Sequence, residues 1–161
     1  MKKIVYLLAA IIPALAFTSC DEKEDVPDVN FNVAISGGAF TSTEDIYVVQ
    51  GDTLSINSVE VFNNEQGKGA TIPYVNYYFN HQFIGQNPIQ PYGFDIVIPE
   101  SLMIGKYVLE LTAPVFAVDK EPGYAILTYN VHVVQSADDI PNNSMQTVSS
   151  TAHVTENNTN S

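Results

Sequence analysis

From Val29 the chain alternates apolar and polar residues with a period of two. Val29, Phe31, Val33 and Ile35 are interleaved with Asn30, Asn32 and Ala34. That period puts one set of side chains on one face, so the segment reads as a half-buried strand. Gly37-Gly38 ends it. A second apolar run, Ile46 to Val49, stops at the turn signal Gln50-Gly51-Asp52. Thr53 to Val61 carries Leu54, Ile56, Val59 and Val61, and the change of parity between Ile56 and Val59 predicts a bulge near Ser58. Asn63 to Thr71 holds two Gly and reads as a loop. Strands follow at Val75–Phe79, Phe94–Ile98, Tyr107–Ala113 and Leu127–Val133, with a turn at Asp119–Gly123. No segment carries an apolar stripe at helical spacing. About seven short strands in residues 29–135, separated by turn signals, predict an all-β, antiparallel β-sandwich.

The N-terminus has a different pattern. Met1-Lys2-Lys3 precedes an uncharged, mostly apolar run of 14 residues, Ile4 to Phe17. As a helix it would span roughly 21 Å, short of the ~30 Å hydrocarbon core, so it reads as the h-region of a signal peptide covering residues 1–19. The run ends in Phe17-Thr18-Ser19-Cys20, which resembles the lipobox of bacterial lipoproteins. An ordinary secretory signal would explain the run but not the Cys. The resemblance implies cleavage before Cys20 and acylation of its thiol and new amine, palmitate included, with the acyl chains supplying a membrane anchor. Cys20 is the one Cys in the chain, so the mature domain would hold no disulfide. Asp21-Glu22-Lys23-Glu24-Asp25 follows, within a tether of residues 20–28. It reads as a solvated, self-repelling spacer, and it also resembles the signal that carries Bacteroidetes lipoproteins to the outer face of the outer membrane.

The spacing from about Val29 to Val134 resembles the Ig-like domains of bacterial surface lipoproteins. Gln50-Gly51-Asp52-Thr53-Leu54 opens a second strand, and Gly105-Lys106-Tyr107 precedes a strong late one. Tyr107 is placed like the residue of a tyrosine corner, whose hydroxyl bonds back to nearby main chain; a plain core aromatic is the other reading. From Ser136 on, 14 of the 26 residues are Ser, Thr or Asn, a composition that predicts a polar, disordered tail over 136–161.

Lys and Arg sum to 6 and Asp and Glu to 18, giving a net charge of −12. The acidity argues against nucleic acid as a partner, because phosphate contacts need cations. The sequence contains no Gly-x-Ser-x-Gly elbow, no His-Glu-x-x-His, no Cys cluster, no phosphate-cradling Gly-Lys-Thr loop and no calcium loop. No cofactor, metal or catalytic residue is therefore assigned. Acid pairs such as Glu44–Asp45 and Asp119/Glu121 fall in turns, where solvation alone explains them. Asp52-Thr53-Leu54 resembles the O-glycosylation site of Bacteroidetes proteins, with Thr53 as acceptor, though entry into a strand explains the same residues.

Parity selects one further surface. With Val75, Tyr77 and Phe79 inward, Asn76, Tyr78 and Asn80 point outward. Thr128, Asn130 and His132 do so on the last strand. Such a face suits sugar binding, with Tyr78 stacking and amides hydrogen-bonding, or is simply a solvated sheet face. Phe83 and Tyr92 flank a loop stiffened by Pro88 and Pro91 and are either contact residues or caps on the core. The expectation is a non-catalytic, lipid-anchored surface module for adhesion or for an envelope complex, with a protein or glycan ligand. Glycan capture for nutrient uptake is the alternative, and a small hydrolase the third reading.

Overall fold

The alternation folds into two packed sheets. The structure is a computed structural model that describes residues 26–64, 68–142 and 154–155. The signal peptide, Cys20 and the acidic cluster lie outside the described residues, as does the tail apart from 136–142 and 154–155. The strands are β1 (Val29–Ser36), β2 (Ala39–Phe40), β3 (Asp45–Val49), β4 (Thr53–Asn63), β5 (Ala70–Thr71), β6 (Val75–Phe79), β7 (Gln82–Asn87), β8 (Phe94–Val97), β9 (Gly105–Ala117), β10 (Gly123–Val134) and β11 (Val154–Thr155). One sheet has the order β1-β4-β8. The other runs β2-β3-β10-β9-β6-β7, with β5 added to β9 and β11 to β10. This is an Ig-like β-sandwich.

The inward residues are the ones that the period of two selects. Val29, Phe31, Val33 and Ile35 of β1, Leu109, Leu111, Ala113 and Val115 of β9, and Leu127, Tyr129, Val131 and Val133 of β10 are all buried. The bulge falls where parity breaks: Ala34 pairs with Ser58 and Ile35 with Ile56, so Asn57 is the extra residue. Gly37 is dictated by the backbone. Its φ is +80°, and a Cβ there would lie 2.0 Å from the Thr53 carbonyl oxygen.

Several segments depart from expectation. β3 pairs with β10 in parallel, Asp45 beside Asn130 through Val49 beside Val134, so this one pair breaks the antiparallel rule. The predicted Asn63–Thr71 loop is shorter, because β4 runs on to Asn63 and β5 starts at Ala70. The segment from Phe83 is not a loop at its start: Gln82–Asn87 is β7, hairpinned to β6. Past Ser136, Ala137–Asp139 forms one turn of 3-10 helix. The Ser136 N–H and hydroxyl both donate to Asp139 Oδ2, at 3.1 and 3.0 Å. Val154–Thr155 pairs with Tyr124–Ala125 of β10. Tyr107 makes the main-chain bond of a tyrosine corner and is half-buried against the core, not inside it. Its hydroxyl donates to the Met103 carbonyl at 2.7 Å, and its ring stacks on Phe79 with centroids 5.4 Å apart.

Candidate functional site on the outer face of the larger sheet

β6, β9 and β10 share one sheet, as the surface argument requires, and β7 extends it. The turn between β6 and β7 is Asn80-His81, with φ of 49° and 63°. Both central residues at positive φ make a type I′ hairpin, in which Asn is favoured. Asn80 therefore sits in the turn, not on the sheet face with Asn76 and Tyr78; its N–H donates to the Val108 carbonyl at 2.7 Å. An Asn between two alternating runs is the signal that marks such a turn in sequence.

A second bulge sets what the hairpin displays. Tyr78 pairs with Phe83 but Tyr77 with Gly85, so Ile84 is extra. The slip places Gly85, not Ile84, opposite Tyr77 on the inner face. A Cβ at Gly85 would lie 2.5 Å from a Phe94 ring carbon. Its absence lets the Phe94 ring cross from the other sheet and stack on Tyr77, centroids 4.5 Å apart. On the outer face Phe83 meets Tyr78 edge to face at 5.5 Å. Phe83 is 59% exposed, and Ile84 is exposed beside it.

Next to this aromatic pair runs a row of polar side chains across four strands. Gln86 Nε2 donates to Asn76 Oδ1 at 2.8 Å, and Asn76 Nδ2 reaches Thr112 Oγ1 at 3.4 Å. The Tyr124 hydroxyl donates to the same Thr112 oxygen at 2.8 Å, burying that threonine. Asn76 thus spends its amide within the sheet, and the surface it offers is the ladder's edge.

Tyr92 is not a contact residue. It is 4% exposed, φ is 63°, and its hydroxyl donates to the Ile72 carbonyl. Of the two proposed contacts, Phe83 faces solvent and Tyr92 caps the core. Thr53 is half-buried in β4, paired with Val97.

His132 lies toward the other side of the face. Its ring stacks on Tyr47 at 4.5 Å, and its Nε2 sits 2.9 Å from Asp45 Oδ1. Ser42 Oγ donates to Asp45 Oδ2 at 2.8 Å. These two bonds hold the Asp45 carboxyl below its ordinary range. An ionised carboxylate only accepts, so Nε2 carries the hydrogen. Ser, His and Asp have gathered here, but Asp45 is the hub and takes both bonds. In a nucleophilic triad the imidazole must stand between hydroxyl and carboxylate to receive the proton. This cluster instead fastens β3 to β10. Among the described residues no group of three or more His, Cys, Asp or Glu is placed to hold a metal ion.

The class that this architecture defines is the Ig-like β-sandwich. No protein-family model matches the chain, and no curated protein matches it. Among solved structures the chain is similar to the fibronectin(III)-like modules of Clostridium thermocellum CbhA, with a TM-score of 0.42 and 11% identity over 72% of this chain. The chain spans about half, 52%, of the length of that match.

Proposed function

We propose that the protein is a non-catalytic module, anchored by lipid at Cys20 to the outer membrane and exposed at the cell surface, where it serves adhesion or an envelope complex. The observation that carries the binding role is the Tyr78–Phe83 pair, two aromatic rings held at fixed geometry on an outward sheet face. Rings that lose little conformational freedom on contact are favoured at recognition surfaces. The acidic chain supports a partner other than nucleic acid. The Asp-centred order of the Ser42–Asp45–His132 contacts supports a structural role for those residues.

Capture of glycans is the second reading. The specific observation in its favour is the amide of Gln86 next to the exposed Phe83 ring on the same strand, an aromatic platform with a hydrogen-bonding neighbour.

The anchoring half is tested by feeding cells labelled palmitate. The wild type should take up label, and Cys20→Ala should not and should keep its signal peptide. Label on the Ala variant would refute lipidation at Cys20. Surface display is tested with Gln86→Cys and a membrane-impermeant maleimide on intact cells; labelling only after lysis refutes it. A glycan array probed with wild type and Phe83→Ala separates the two readings. A signal lost in the variant selects glycan capture.

A further inference from the structure

β4 is longer than its neighbour. β8 covers it only from Thr53 to Ile56. Beyond that, among the described residues, the one main-chain bond on this side is from the Val59 N–H to the Pro91 carbonyl, at 2.9 Å. That bond fixes the phase of the strand. Val59 points its main-chain groups away from β1, so in an antiparallel ladder Val61 does the same. Asn64, in the opposite phase, donates its N–H to the Asp28 carbonyl on the β1 side at 2.9 Å, as the alternation requires.

The Val61 N–H and C=O therefore face a cleft of about 330 Å³ between β4 and the segments Ala70–Ile72 and Gln90–Tyr92. Its far wall is held in place, since Ala70 and Thr71 pair with β9. Tyr92, bonded through its hydroxyl to the Ile72 carbonyl, stiffens the side opposite β4. The mouth carries Glu60 and the half-exposed ring of Phe62.

We propose that this cleft takes an extended, cationic segment of a partner protein, which adds to β4 as a short strand. Strand addition needs an exposed strand edge for affinity and a pocket for alternate side chains for specificity. Val61 provides the first and the cleft the second. A residue opposite Val61 points inward, so it must be apolar. Its two neighbours point outward beside Glu60 and Phe62, where a Lys or Arg finds a carboxylate and an aromatic face. Among the described residues of the lining the only charged side chain is acidic, and the whole chain carries −12. The tail of a second copy is a poor occupant on the same ground. No Lys or Arg follows Lys120, while Asp138, Asp139 and Glu156 do.

This deepens the accessory-module reading and rests on it for the existence of a protein partner. Anchoring is read at Cys20 and the cleft by peptide binding, so the two fail separately. The probe is fluorescein-labelled Thr-Lys-Val-Lys-Thr, titrated by anisotropy into the mature protein in detergent. Saturable binding that weakens with salt is expected, at least tenfold tighter than for Thr-Glu-Val-Glu-Thr. Methylating the peptide's backbone nitrogens should abolish it. Val61→Pro deletes the N–H that faces the cleft while leaving the β1–β4 hydrogen bonds, and should weaken binding at least tenfold. Glu60→Lys, an exposed substitution, should do the same and does not depend on how β4 tolerates Pro. Absence of saturable binding, equal binding of the Glu peptide, or full binding to the methylated peptide or to Glu60→Lys would overturn the proposal.

Discussion

Tyr77→Phe isolates one buried hydrogen bond between strand and loop. Tyr77 is fully buried in β6, and its hydroxyl donates to the main-chain carbonyl of Tyr92. The ring keeps its stack on Phe94 without the oxygen, so packing is nearly unchanged. What is lost is the bond itself, about 0.5–1.5 kcal/mol net, plus the cost of a buried carbonyl left without its donor, for about 1–3 kcal/mol in all. At roughly 4–8 °C per kcal/mol for a domain near this size, the melting midpoint should fall by about 10 °C. A second readout comes from alkaline pH. Burial pushes the Tyr77 phenol well above its ordinary value of 10.0. The unfolded chain then releases this proton before the folded one does. The stability linked to Tyr77 is fully present below about pH 10 and is lost as pH rises toward the folded-state value. In the Phe variant that loss is absent, so the gap between wild type and variant should narrow above about pH 10. Urea unfolding followed by far-ultraviolet circular dichroism at neutral and alkaline pH measures both. Equal midpoints at neutral pH, or a gap that does not change with pH, would refute the reasoning.

Gly85→Ala forces a methyl to 2.5 Å from the Phe94 ring and should cost about 1–3 kcal/mol in urea unfolding; Gly69→Ala, where a Cβ meets nothing within 4 Å, should stay within about 0.5 kcal/mol. The Asp45 carboxyl lies below its ordinary 3.8 through its bonds to His132 and Ser42, so its contribution is present above that value and lost as pH falls through the folded-state value. Asp45→Asn should therefore show a shallower loss of stability below about pH 4 than wild type, measured by thermal melts across acid pH.

The strands that alternation reveals are those with one wet and one buried face. β1, β9 and β10 are of this kind, and their inward residues follow the period almost without exception. β7 escapes because it has no buried face. Its residues are exposed or half-exposed throughout, it lies at the sheet edge, and its bulge at Ile84 breaks whatever period remains. With Gly85 inside it and Pro88 just after it, the sequence resembles a loop. The parallel pairing of β3 with β10 is hidden for a different reason. Alternation in Asp45–Val49 states which side chains point inward, not which strand lies alongside. The Asp45–His132 bond spans 87 positions and becomes visible only once that pairing exists.

Tyr92 shows how a residue chosen for its chemistry acquires a role from its backbone. Just after Pro88 and Pro91 and beside Gly93 it has the look of an aromatic on a stiff outer loop. At φ 63° it instead closes a turn over Ile89–Tyr92, its N–H donating to the Ile89 carbonyl at 2.7 Å. Phe94, two residues on, is paired with Ile56, whereas Pro91 just before it keeps a single bond to Val59. The side chain goes inward and ties itself to Ile72, and its carbonyl receives the Tyr77 hydroxyl. Continued in the register of Ile56 with Phe94, the ladder would set Pro91 beside Val59, where that single bond is made, and Ile89 beside Val61. The open edge of β4 is therefore a consequence of the Ile89–Tyr92 turn, held by two hydroxyl bonds that reach to other segments. Neither the length of the β4 run nor the shortness of the β8 run announces that edge alone; it arises from their mismatch.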